Sequence, residues 1–170
     1  MSQVNATNSL SQIMSDIDLG PTGSVQFMFA KLQLAQSEIC KNQAESYMKQ
    51  IEDIQNEQKE CAEMIEKARE LQNTAKTEDK CTEMPDDMKE YFQSRGLSWD
   101  TAGEDDLHTA DEWDYNLKSL TNYQEQIGTK TQTLMVYLQD FIGQYNSYLQ
   151  GANTQIANAN QTLTNIARGQ

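Results

Sequence analysis

From Trp113 to the C-terminus apolar residues recur at heptad spacing, and a stripe of that length fits only a long helix that packs against another helix. Trp113, Leu117, Leu120, Ile127, Leu134, Leu138, Phe141, Tyr145 and Tyr148 fall on one a/d ladder. The stripe then slips by one residue to Ile156, Ala159, Leu163 and Ile166. An ideal helix of about fifty residues runs roughly 75 Å at about 1.5 Å per residue. Across residues 128–170 the only charges are Lys130, Asp140 and Arg168, and the other polar positions are mostly Gln, Asn, Ser and Thr. A helix facing water on one side is normally dressed with Lys and Glu. This one reads as packed against copies of itself or against a partner.

A second helical stretch precedes it. Residues 1–23 are rich in Ser, Asn, Gln and Thr and end in Gly20-Pro21-Thr22-Gly23, a strong breaker. They read as a mobile arm, with a short turn of helix around Leu10 to Ile17. Ser24 is a plausible N-cap, and residues 24–73 read as the first long helix. Its opening is apolar on several sides, with Val25, Phe27, Met28, Phe29, Leu32, Leu34 and Ile39. The stripe then thins to Tyr47, Ile51, Ile54, Cys61, Ile65 and Ala68, interrupted by Gln58 and Gln72. Polar interruptions weaken such a seam and narrow the choice of partner register.

Between the helices, residues 74–110 form an acidic insert. Counted through Asp114, this stretch holds 13 of the 26 acidic residues against four basic ones. Pro85 suits the start of a short helix over residues 86–93, and Gly96 its end. Thr109 or Asp111 caps the second long helix, residues 111–170, with Asp111, Glu112 and Asp114 near its positive end. The expected fold is all-α: a long antiparallel two-helix hairpin of coiled-coil character, with a small irregular acidic insert and a flexible N-terminal arm.

The sequence offers little chemistry. His108, the only histidine, stands among Asp105, Asp106 and Asp111. That grouping suits a weakly held cation, but acids capping a helix predict the same residues, and that is the reading taken. Calcium-loop spacing and short Cys/His zinc spacing are both missing. No nucleophile motif or phosphate-binding glycine loop is present, so the chain reads as non-enzymatic, with no catalytic residue, cofactor or metal. A net charge of −13 disfavours nucleic acid and anionic membranes. No apolar run suffices to span a bilayer. The start of the chain lacks the basic and apolar regions of a Sec signal. Cys40 and Cys61 lie 21 residues apart, so on one helix they share a stripe without bridging. Small reduced packing residues is the reading for both, and Cys81 receives no role.

The aromatic series Phe141, Tyr145 and Tyr148 reads first as packing on the first helix. Val136, Tyr137 and Ile142 lie off the main stripe, so this face is wider than a two-helix seam requires. Overfull faces on both helices suggest further helical neighbours. Gly143 and Gly151 inside a helix each cost up to about 1 kcal/mol relative to Ala, which close approach of another helix or a local kink would explain. The residues assigned to packing and assembly are Phe27, Phe29, Leu32, Ile39, Ile51 and Ile54 on the first helix. On the second they are Leu120, Ile127, Leu134, Leu138, Phe141, Tyr145, Tyr148, Ile156, Leu163 and Ile166.

The order of these features resembles the EspA/SseB group of type III secretion proteins, which form the extracellular filament or needle-tip extension. The likeness is carried by the polar arm, by "VQFMFAKLQLAQSEI" leading into "AESYMKQIEDIQNEQKECAEMIEKA", by "MPDDMKEYFQSRGLSWD", and by the terminal "TQTLMVYLQDFIGQYNSYLQGANTQIANANQTLTNIA". It covers most of residues 24–168 and is one of order and composition. It implies a secreted, self-assembling subunit on the bacterial cell surface serving effector delivery, with residues 1–23 as export signal. It further implies a dedicated cytosolic chaperone that holds the reduced chain before export, and contact with needle and translocator proteins. Two other expectations stand beside it: a ring-forming hydrophilic tip or translocator protein, and an intracellular coiled-coil adaptor or chaperone.

Overall fold

A computed structural model describes residues 10–18, 25–78, 81–102 and 106–169. The elements in chain order are α1 (Leu10–Asp16), α2 (Val25–Glu78), β1 (Thr82–Glu83), α3 (Asp86–Arg95), β2 (Leu107–His108) and α4 (Ala110–Arg168). The fold is all-α and hairpin-like, with α2 packed on α4. Neither Pro nor Gly interrupts α2, so nothing in its backbone stops it at residue 73, where the apolar stripe thins; it continues to Glu78. Of the arm, residues 1–9 and 19–24 lie outside the described residues, whereas Leu10–Asp16 is helical with Ile13 buried. The chain divides into two compact units.

The paired-helix unit comprises Met1–Gln50 and Leu134–Gln170. Apart from Leu134, its seam is made of small side chains. Ala30, Ala35, Ser37, Cys40 and Ala44 are buried from α2, and Leu134, Ala152 and Ala159 from α4. Helices approach to about 8–10 Å according to the side chains between them. Alanines on the seam bring the axes close and push larger neighbours to its flanks. The Gln33 amide lies against Gly151, where an added β-carbon would meet Gln33 Nε2 at 2.6 Å. Cys40 Sγ donates to Gln144 Oε1 at 3.8 Å. Tyr47 stacks on Phe141 (centroids 5.6 Å apart) and meets Tyr137 at 5.7 Å. These pairs fix an antiparallel register.

The capped unit is Ile51–Thr133. Here the core is large-chained: Ile51, Ile54, Cys61, Ile65 and Ala68 of α2 meet Trp113, Leu120 and Ile127 of α4. The segment between the helices adds Met84, Met88, Tyr91 and Phe92, all buried. β1 and β2 pair antiparallel, Thr82 opposite His108. Pro85 precedes α3 in extended conformation, and Gly96 ends it in the left-handed region (φ 64°), with Leu97 N donating to Phe92 O at 2.9 Å. That is the hydrogen-bonded glycine stop that only a residue without Cβ adopts cheaply. Thr109 caps α4 in a reciprocal box: Glu112 N donates to Thr109 Oγ1 at 3.4 Å, and Thr109 N to Glu112 Oε2 at 2.6 Å.

The polar positions of the capped stripe are paired in part, with Asn116 Nδ2 and His108 Nδ1 buried without a hydrogen-bond partner. Gln72 is buried and its Nε2 donates to Ala110 O (3.0 Å) and to Asp114 Oδ1, tying α2 to the first turn of α4. Gln58 lies beside Gly128. Trp113 Nε1 donates to Thr82 Oγ1 at 2.7 Å, and Thr82 Oγ1 donates to Leu71 O at 3.1 Å. Asn116 Oδ1 accepts from Asp100 N at 2.7 Å. Two ion pairs latch α3 to α2 at its ends: Lys67 with Asp87 (2.6 Å) and Arg95 with Glu60 (2.6 Å). Arg95 also lies over the Tyr91 ring at 3.9 Å.

Candidate assembly surface

The residues assigned to packing fall into three groups. Ile51, Ile54, Leu120, Ile127 and Leu134 are buried in the monomer. Phe27, Leu32, Ile39, Leu138, Phe141, Tyr145, Tyr148 and Ile156 are half-buried along the flanks of the paired-helix seam. Phe29, Leu163 and Ile166 are exposed, the last at 59%. Apart from Leu134, the ladder of large residues is therefore not the seam of this unit. Its seam is the alanine row, and the large chains reach past it toward solvent.

Further apolar residues on the same unit are open to solvent: Val25, Met28 and Met48 on α2, and Met135, Val136, Tyr137 and Ile142 on α4. Val136 is 64% exposed. In the capped unit the exposed large apolar residues among those described are Leu107 and Tyr115. Gly143 has nothing within 4 Å of the place a β-carbon would take, so no neighbour within the monomer requires it.

Charge divides the same way. The paired-helix unit carries five acidic and four basic residues, a net of −1, while the capped unit carries 21 and nine, a net of −12. Nearly the whole charge of the chain lies on the unit with a complete core. The unit with uncovered apolar flanks is close to neutral. Long-range repulsion between copies is weakest at that near-neutral surface.

Among the described residues, the acidic side chains of the insert make no metal cage. Asp106 pairs with Lys89 at 2.6 Å, Asp111 is exposed, and Asp105 lies outside the described residues. His108 is buried with its ring edge-on to Trp113 at 5.1 Å. Among the described residues, no three His, Cys, Asp or Glu side chains stand close enough to hold a metal ion. Cys40 and Cys61 are buried free thiols and Cys81 an exposed one. Burial pushes the thiols of Cys40 and Cys61 up from the usual value, Asp140 adding to the effect at Cys40. No helix among the described residues is long and apolar enough to cross a membrane. No family model matches the chain, and comparison with curated proteins and with solved structures gives no match.

The apolar pattern marks Cys40, Leu134 and Ala159 of this seam but not Ala30, Ala35, Ala44 and Ala152, because large residues dominate it. It also missed Met84, Met88 and Phe92, whose burial depends on contacts distant in sequence. The uneven charge was visible; its coincidence with the boundary between two packed units was not.

Proposed function

We propose that the chain is a structural subunit that assembles with copies of itself through the paired-helix unit, with the acidic capped unit taking no part in the contact. The observation that carries this reading is the coincidence of uncovered apolar flanks with near-zero net charge on one unit. Contiguous exposed apolar surface marks interaction sites on soluble proteins. The ordered resemblance of the sequence to EspA/SseB-like proteins supports a finer reading, a secreted type III secretion filament or needle-tip extension. In that reading a cytosolic chaperone covers the same flanks before export, and needle and translocator proteins contact the finished assembly.

Negative-stain electron microscopy of purified protein in reducing buffer, beside its size-exclusion profile, tests the proposal. Fibres or tubes of uniform width are expected. A sharp small-oligomer peak with no fibres would instead indicate a closed ring or an intracellular adaptor.

A further inference from the structure

The α2–α4 pairing ends before α4 does. Gln33 stands against Gly151, so in antiparallel register Val25, eight residues back, comes opposite Ala159, eight residues on. Ala159 is buried, but every residue of 160–168 is exposed. Leu163 and Ile166 continue the stripe of Ala159 on that uncovered length, 55% and 59% exposed. Arg168 follows them, the one charged residue after Asp140.

The same unit carries an open groove of about 510 Å³ beside α1. Ile17, Leu34, Tyr145 and Leu149 line it beside the carboxylates of Asp16 and Glu38, the latter also paired with Lys41 at 3.7 Å. Ile13 of α1 is buried, yet α1 leaves the groove unfilled. The groove therefore offers apolar side chains beside two acidic ones, and the end of α4 offers two apolar side chains followed by one cation.

We infer that the overhanging end of α4, through Leu163, Ile166 and Arg168, docks in this groove on the next copy of the chain. The inference rests on the self-assembly reading and adds the contact that propagates it. The end of α4 cannot reach its own groove, because about eighteen residues of straight helix, some 26 Å, separate Leu163 and Ile166 from Tyr145 and Leu149. Each copy thus presents one tail and one groove on different surfaces. Such a heterologous contact does not satisfy itself in a dimer and extends into an open polymer. With copies parallel, each would be advanced by roughly 25 Å along the helix axis.

The test uses the full chain with Cys81→Ser to remove the exposed thiol. Asn42→Cys places a thiol at the groove, where Asn42 is exposed, and Ile166→Cys places one on the tail. After assembly and mild oxidation, the doubly substituted chain should give a ladder of covalent dimers, trimers and higher species. A mixture of the two single variants should stop at dimers. Leu163→Asp with Ile166→Asp should raise the concentration needed for assembly at least about a hundredfold, since two apolar side chains are no longer buried. Arg168→Glu should raise it a few-fold, and Asp16→Lys with Glu38→Lys should restore assembly. Fibres without a ladder, or fibres unaffected by the paired tail substitutions, would overturn the docking contact and leave the self-assembly reading standing. If the unsubstituted chain forms no polymer at any concentration, both fall.

Discussion

The Gln33 amide rests on Gly151, at the one glycine of α4 where a neighbouring side chain comes within 3 Å of an added β-carbon. The contact marks a close approach of α2 to α4, since even a methyl group would displace the residue opposite. Gly143, two turns earlier, faces open space. Gly143→Ala should therefore stabilise the monomer by about 0.5–1 kcal/mol, the ordinary helix preference of Ala over Gly. Gly151→Ala should gain less, because Gln33 must swing aside. Paired thermal melts of the two variants would show the difference.

The capped unit should behave as a conventional core. Phe92→Ala removes a fully buried ring that meets Trp99 edge-on at 5.8 Å. A loss of about 3–5 kcal/mol is expected from burial and cavity together, read by urea denaturation. Ile142→Asp, on an exposed flank, should change stability by less than about 0.5 kcal/mol. The same substitution should suppress assembly, read by sedimentation.

Much of this fold is legible in the sequence, and the reasons for the rest are physical. Spacing of apolar residues reveals α2 and α4, because a 3.6-residue period survives in any amphipathic helix. Gly96 announces its cap through chemistry that is local, and Thr109 is one of two candidates that such chemistry offers for the cap of α4. Apart from Ala159, the alanines of the paired-helix seam give no such signal, because Ala also serves on exposed helix faces. His108 looked like a loop residue among acids; burial against Trp113 depends on the β1–β2 pairing, which two-residue strands cannot advertise. The uncovered flanks were anticipated from Val136, Tyr137 and Ile142. The unpaired end of α4 follows only from the register with α2.

Alkaline titration offers a probe of the capped core. Tyr123 donates to Glu57, and burial, followed by that carboxylate, pushes its hydroxyl up to about 12. Burial pushes Tyr91 higher still. A folded-state value above the ordinary 10 means that both tyrosines favour the fold fully below pH 10, and that this contribution is lost as pH rises through the raised values. Phenolate absorbance should show two late-ionising tyrosines among the seven. Tyr123→Phe should remove the step near pH 12.

At the acid end the α2–α3 latch should respond in the opposite sense. The hydrogen bond from Lys67 holds the Asp87 carboxyl below its usual value of 3.8. Its contribution is present above that value and lost as pH falls through the lowered one. Asp87→Asn should flatten the acid limb of the stability curve below about pH 4.

Salt should favour assembly. Copies meeting through the paired-helix unit each carry a capped unit of net charge −12, so assembly concentrates like charge. At an ionic strength of about 0.15 M the screening length is about 8 Å, against about 30 Å at 0.01 M. Light scattering should therefore show the critical concentration falling as salt is raised across that range. An assembly held instead by pairing of opposite charges would show the reverse.

Side-chain oxidative footprinting of dispersed and assembled protein tests the central claim most directly. Met28, Phe29, Met48, Met135 and Tyr137 are exposed on the paired-helix unit, and Leu107 and Tyr115 on the capped unit. Assembly should shield most of the first set and leave the second as reactive as in the dispersed chain. Shielding of Leu107 and Tyr115 with the paired-helix residues still reactive would contradict the account.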